Sequence, residues 1–380
     1  MLSLRNKVLV FLALFSISAE ASQYDLETNV RALGMGGAFT ALVANGDALF
    51  YNPAGLSRVD GVYWTIADPR VGISNVDTLA TLGDLQTDSG LAGTLSDLYG
   101  EPVFFAGGAK SSLVAPYFGA MYYYNVNGSL SLSNPVYPEF DVNYANDQGI
   151  AVGFAFPLIP KVMYTGIAVK RIQRQGGNTT ISGDILGNLD SADLTSAIEN
   201  TGTGYSLDIG VNFTAPSVGI TPTFAFVWKN VGQTSFVTSS TSTLAPDEED
   251  MIAAGAIEVD AAVFTFTGSL EMRKLNDPDT QLAKKIYLGA EFTMPFFDFR
   301  AGFHQGYYTL GAGLDMGLMQ IDLATYGVEL GDFPGQKEDR RYIMSILFEI
   351  GVGGFGVFSD GDGADGVGAK RRQRKLKQRR

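Results

Sequence analysis

KIYLGAEFTM, residues 285–294, is followed after two residues by FDFRAGFH, residues 297–304, and the reading of these two stretches decides the fold. Ile286, Leu288, Ala290, Phe292 and Met294 are apolar or small and alternate with Lys285, Tyr287, Gly289, Glu291 and Thr293. Phe297, Phe299, Ala301 and Phe303 alternate in the same way with Asp298, Arg300, Gly302 and His304. A period of two places successive side chains on opposite faces of a strand, so each stretch has one greasy face and one polar face. Upstream, Tyr205, Leu207, Ile209, Val211 and Phe213 alternate with polar or small neighbours, and so do Phe264, Phe266, Gly268, Leu270 and Met272.

A soluble β-sandwich alternates too, and three further features separate it from a membrane barrel. The segments run to about 10 residues, which a tilted strand needs to cross a bilayer. Aromatics crowd strand ends, as at Tyr122, Tyr123 and Tyr124, at Phe296 and Phe297, and at Tyr307 and Tyr308, where barrels carry interfacial girdles. Connection lengths are sorted as well. The pattern predicts fourteen strands, at 61–67, 117–126, 130–144, 148–157, 162–173, 203–214, 223–230, 250–260, 263–273, 284–294, 297–304, 307–315, 318–328 and 341–351. Short turns at 127–128, 158–161, 215–219, 261–262, 295–296 and 316–317 fall at one end, and long connections at 68–116, 174–202, 231–249, 274–283 and 329–340 at the other. A membrane barrel sorts its loops this way, whereas a sandwich has no reason to. Pro135 and Pro138 interrupt the third predicted strand, and 102–109 is an alternative strand.

The chain begins with a positive stretch at Arg5 and Lys7, an apolar run from Val8 to Ile17, and Ala19-Glu20-Ala21, the small-x-small pattern read by signal peptidase. Residues 1–21 are therefore expected to be a secretory signal. The chain has no cysteine, which excludes a disulfide scaffold and leaves a large core or a closed sheet to hold it together. Net charge is −13 overall. The signal carries two basic groups and one acidic, and the tail Lys370 to Arg380 eight basic; residues 22–369 keep 17 basic and 39 acidic groups, a net of −22. Nucleic acid is excluded as a partner for such a body.

Between the signal and the first strand lies RALGMGGAFTA, residues 31–41, followed by DALFYNPAGL, residues 47–56. Gly34, Gly36 and Gly37 permit close backbone approach, and Asn52-Pro53 reads as a turn that opens a short helix. The glycines lack the register and acidic follower of a dinucleotide-binding loop. This stretch, with Asp47, Asn52, Pro53, Ala54 and Gly55, resembles the N-terminal signature of the FadL-type outer-membrane transport superfamily, which includes PorV-like and TraF-like relatives. Residues 288–291, 299–303, 310–314 and 339–342 also resemble the PorV-like branch. The resemblance implies an all-β protein: a transmembrane antiparallel barrel of about 14 strands with its N-terminal segment inside as a plug. The expected organisation is a signal at 1–21, a plug at 22–60, a barrel at 61–358, and a Gly/Asp linker with a basic tail at 359–380.

Glu271, Arg273, Glu291, Asp298, Arg300 and Asp322 project from the polar faces of their strands and are the candidates for a lumen-facing set. Ionisable groups facing lipid would cost about 2–4 kcal/mol for arginine at the midplane. His304 is the single histidine, and no serine elbow accompanies it, so hydrolase chemistry is not indicated. Asp360, Asp362 and Asp365 lack the ligand order of a calcium loop. Leucines at helical spacing, Leu79, Leu82 and Leu85 and then Leu91, Leu95 and Leu98, predict helices within a long loop, with a looser repeat at Ile185, Leu189 and Leu194. The resemblance implies passage of hydrophobic small molecules such as fatty acids across the outer membrane of a Gram-negative bacterium. No enzyme activity, metal or cofactor is expected, and the partners are outer-membrane lipids and a hydrophobic ligand. The alternative is a PorV-like docking platform for secreted proteins.

Overall fold

A computed structural model describes residues 29–74, 103–133, 139–182, 200–215, 220–238, 244–261, 263–331 and 333–353. Within them, fourteen strands close into one antiparallel barrel. Strand β1 runs in two halves, Gly61–Ala67 and Arg70–Ser74. β2 to β5 follow at Val103–Ala115, Phe118–Ser133, Glu139–Ile159 and Met163–Ser182. β6 to β9 are Thr201–Thr214, Ile220–Lys229, Asp250–Asp260 and Thr265–Met272. β10 to β14 are Ile286–Thr293, Phe297–His304, Tyr307–Asp315, Met319–Glu329 and Glu338–Gly353.

Each strand pairs with its sequence neighbours, and β1 pairs with both β2 and β14, which closes the sheet. The break in β1 falls at Asp68-Pro69, where proline removes a ladder donor. The wall stays stitched there, because Asp68 N–H donates to Lys110 O at 3.0 Å and Ile346 N–H donates to Pro69 O at 3.0 Å.

Side chains sort by face as the alternation requires. On β11, Phe299 is 51% exposed while Asp298 and Arg300 are 1% and 3% exposed. Trp64, Tyr122, Phe154, Ile167, Phe224 and Leu310 stand outward on other strands. An apolar surface continuous around a molecule is far larger than soluble monomers present, and a lipid environment removes its hydration penalty. Inward positions carry the charged and small residues.

The strand count agrees with the sequence pattern, but two strands are drawn differently. Asn127-Gly128 is no turn: Asn127 pairs with Ala106 on one side and Ala145 on the other, inside β3. A turn-forming dipeptide is held extended when a partner strand lies on each side of it. The predicted strands 130–144 and 148–157 are likewise replaced by the rest of β3 and by β4, and the connection moves to 134–138, where Pro135 and Pro138 sit. The strand absent from the fourteen is β2, which begins where the alternative at 102–109 lay and is bracketed by Pro102 and Pro116.

Loop sorting holds at the short end, where the connections are 116–117, 160–162, 215–219, 261–264, 294–296 and 316–318 and where β1 begins and β14 ends. Opposite lie 75–102, 134–138, 183–200, 230–249, 273–285, 305–306 and 330–337. Two of these are short. Gln305-Gly306 is a two-residue hairpin with φ of 51° and 95°, the primed turn that matches strand twist. The expected loop helices near Leu79 to Leu98 and Ile185 to Leu194, the signal at 1–21 and the tail at 359–380 lie outside the described residues.

The outward face makes a direct test. Leu310 lies mid-strand on β12 with half its surface exposed. Leu310→Arg is expected to cost about 2–4 kcal/mol at mid-bilayer depth, and Leu310→Ala much less. Urea unfolding of the barrel folded into lipid vesicles, followed by heat-modifiable gel mobility, measures both.

Candidate functional site: the N-terminal segment and the inner wall

Residues 29–59 pack against the inner face of the barrel. Asn29 caps the helical turn Val30–Gly34 by accepting from Ala32 N–H at 3.0 Å. The chain then reverses at Gly36 and Gly37, with φ of 62° and 82°, values that strain residues bearing a Cβ. At Gly36 there is no room for one either, since a Cβ would lie 2.8 Å from Phe303 N. Gly34 packs backbone to backbone on Gly311, where a Cβ on either residue would come within 3.0 Å of the other's Cα. The wall answers with its own small residue at Gly289, whose Cβ would meet Met35 O at 2.5 Å.

Farther on, Asp47 ion-pairs with Lys110 of β2 and accepts from Asn29 and Asn45. Burial pushes the Asp47 carboxyl up, but the Lys110 ammonium and these hydrogen bonds hold it below the usual carboxylate range. Asn52 caps the 3₁₀ helix Pro53–Arg58 through Ala54 N–H at 3.0 Å, with Pro53 opening the first turn. Its amide donates to Asn212 of β6 at 2.6 Å and to Thr40 O at 3.2 Å. Gly55 lies tight on Val43, whose carbonyl oxygen would be 2.5 Å from an added Cβ. Ala54 is fully buried, and Arg58 is buried with its guanidinium donating to Ala41 O at 2.7 Å.

All six candidate wall charges are buried, and they fall into two groups that both reach the segment. Glu271 accepts from the backbone N–H of Phe39 and Thr40 at 3.0 and 2.9 Å and from Arg273 Nε at 2.7 Å. Arg273 in turn donates to Gly37 O at 2.8 Å. Glu291 takes Arg31 through two hydrogen bonds of 2.8 and 2.9 Å and Arg300 Nε at 2.7 Å. Arg300 also meets Asp322 at 2.6 Å and Asp298 at 3.2 Å. Removing one partner from such a dry network strands a buried charge, at a cost of about 3–5 kcal/mol. His304 stacks on Tyr287, ring centroids 5.5 Å apart.

Sequence reading missed the charges on the first half of the barrel. Lys110 bridges Asp47 and Asp68, Lys170 meets Asp208 at 2.7 Å, and Arg174 meets Asp147 and Asp247, each at 2.8 Å. The signal was present, because Lys170 and Arg174 are an even number apart and so share the inner face of β5. Opposite the two wall networks, the segment meets an apolar flank. Leu49, Phe50, Tyr51 and Leu56 pack with Val114, Met121, Tyr123, Ala151, Ala155 and Ala168.

Glycine substitutions separate seating of the segment from general tolerance. Gly36→Ala is expected to unseat the segment, exposing it to trypsin at Arg31 and Arg58 in the detergent-solubilised protein. Gly107→Ala, where an added Cβ meets nothing within 4 Å, is expected to leave the digestion pattern unchanged.

No family model and no curated protein matches the chain. Among solved structures, the TodX deltaS2S3 mutant, a monoaromatic hydrocarbon channel, is similar with a TM-score of 0.50 and 12% identity over 85% of this chain and 98% of that one. The CymD monoaromatic hydrocarbon channel gives 0.47 and 10% over 85% and 97%. The P. putida toluene transporter TodX gives 0.43 and 11% over 86% and 98%. An architecture shared over nearly the whole of the first channel, with few identical residues, is a statement about fold. The chain shares the barrel fold of that hydrocarbon channel.

Proposed function

We propose that the protein is an outer-membrane channel of a Gram-negative bacterium that passes hydrophobic small molecules, with residues 29–59 acting as the plug that gates it. The observation that supports this reading is the packing of residues 29–59 against the inner wall, by ion pairs and hydrogen bonds on one side and by apolar contacts on the other. A general diffusion pore has no use for such a segment. The fold shared with a monoaromatic hydrocarbon channel supports the reading.

The chemistry of the lumen favours neutral apolar cargo, from monoaromatics to aliphatic chains. Arg174 and Arg300 are engaged by carboxylates, and the net −22 of residues 22–369 repels anions. No bond is made or broken; the protein supplies a path and a barrier. A docking platform for secreted proteins would rely on free polar loops. The described part of 231–249 instead folds back onto the barrel, with Asp247 on Arg174 and Leu244 buried.

Deleting Arg31 to Asn45 tests the reading. The barrel ladder is closed without these residues, and water entering the lumen rehydrates Glu271 and Glu291, so assembly is expected to survive. Conductance in planar bilayers is expected to rise, and toluene entry into proteoliposomes to lose its dependence on gating. Loss of secretion with unchanged conductance and toluene entry would favour the docking platform instead.

A further inference from the structure

The outward face of β3–β6 changes character along one row of residues, and a cation stands in that row. Pairing across the four strands sets Tyr122 beside Ile150, Ile150 beside Arg171, and Arg171 beside Tyr205. All four side chains are exposed on the outer surface. The next outward row toward the short turns is Ala120, Val152, Val169 and Leu207, and the one beyond it is Phe118, Phe154, Ile167 and Ile209; every member is apolar. The next row toward the long connections is Tyr124, Gln148, Gln173 and Thr203, which is polar. The lipid-facing band therefore ends at Arg171. In an outer-membrane barrel the long-loop side faces the exterior, so this row lies at the headgroup depth of the outer leaflet.

An arginine on the outer wall is costly at the bilayer midplane and costs little at the interface, where its stem lies on apolar neighbours and its head reaches water. Depth alone explains why Arg171 is tolerated, but not why it is left without a counter-charge. Its neighbours Lys170 and Arg174 turn inward onto Asp208 and Asp147. Among the described residues no carboxylate pairs with Arg171. The other charges on the outward strand faces are Glu338 and Arg340 near the long-loop end of β14, and these pair with each other. The surplus of acidic groups in the chain does not oppose an anion here, because the carboxylates of the wall face the lumen.

The surroundings of Arg171 add donors and no acceptor of charge. Gln148 Nε2 donates to Gln173 Oε1 at 3.2 Å, which fixes the Gln173 side chain two residues from Arg171 on the same face. Among the described residues the amide nitrogen of Gln173 has no acceptor. Tyr205 stands directly across the ladder from Arg171, with its phenol at the apolar boundary. A guanidinium, an amide N–H and a phenol over an apolar band suit a phosphate ester that carries acyl chains: the phosphate takes the donors, and the chains lie on Val169, Ile167 and Phe154.

We propose that Arg171, Gln173 and Tyr205 form a binding site on the outer wall for the phosphate of an outer-leaflet lipid. The site rests on the membrane placement proposed above and is independent of what passes through the lumen.

The test uses the full-length protein in detergent micelles, freed of divalent cations, with lipid binding followed by native mass spectrometry. Diphosphoryl lipid A is expected to bind about tenfold more tightly than the same lipid stripped of its phosphates, and Arg171→Gln is expected to remove that advantage. Gln173→Leu is expected to weaken binding about threefold, as loss of one neutral donor does. Arg340→Gln, which removes an outward arginine already paired, is expected to leave binding unchanged. Toluene entry is expected to be the same in Arg171→Gln as in the unaltered protein. Equal binding of the two lipids, or unchanged binding in Arg171→Gln, overturns the proposal. So does displacement of lipid A by millimolar inorganic phosphate, which would make the site one for free anions. Heat-modifiable mobility is measured on every sample: its absence from the unaltered protein would sink the membrane reading and this site together, whereas its presence without lipid selectivity sinks the site alone.

Discussion

Closure of the backbone ladder is the constraint on which the rest depends. In lipid no water is available for a free N–H or C=O, so a sheet crosses a bilayer only when it has no edge. Here the burden of closure falls on β1, which pairs with β14 on one side and β2 on the other despite a proline in its middle. Two hydrogen bonds across the break, from Asp68 N–H and to Pro69 O, keep that strand in the wall.

Width follows from closure. A barrel of fourteen strands is wider than one whose own side chains fill it, since diameter grows with strand number. The interior must then hold water, cargo or a further piece of protein. This chain supplies residues 29–59, and small wall residues such as Gly289 and Gly311 let the backbone lie close. On the other flank alanines do the same work for Leu49 and Leu56. The filling is thus divided between charge pairs that need one geometry and apolar contacts that accept many.

The buried charges gain their meaning from this division. Glu291 holds an arginine of its own wall and an arginine of the N-terminal segment, so one carboxylate joins two parts of the chain 260 residues apart. Glu271 does so with backbone amides, which makes it indifferent to the side chains of Phe39 and Thr40. A polar inner wall could have formed networks with itself alone. That it reaches inward is what ties the position of the N-terminal segment to the barrel.

The sequence by itself determined which face of each strand is greasy, because alternation with period two is local: Glu291, Arg300 and Asp298 were legible as a polar face from their neighbours alone. It also determined where the short turns lie in the second half of the barrel. Pairing was beyond it. Asn127-Gly128 has the composition of a turn and is a strand, since the ladders from Ala106 and Ala145 outweigh a local preference. Lys110 and Arg174 were passed over because they fall outside the predicted strands, and Lys170 because it was read without its inner-face partner Arg174. The bond from Arg31 to Glu291 and the seat of Gly36 against Phe303 exist only because closure brings distant residues face to face. Alternation fixes what a side chain prefers to face; only the closed barrel decides what stands opposite, because contact in a lumen depends on curvature and register, which no single strand encodes.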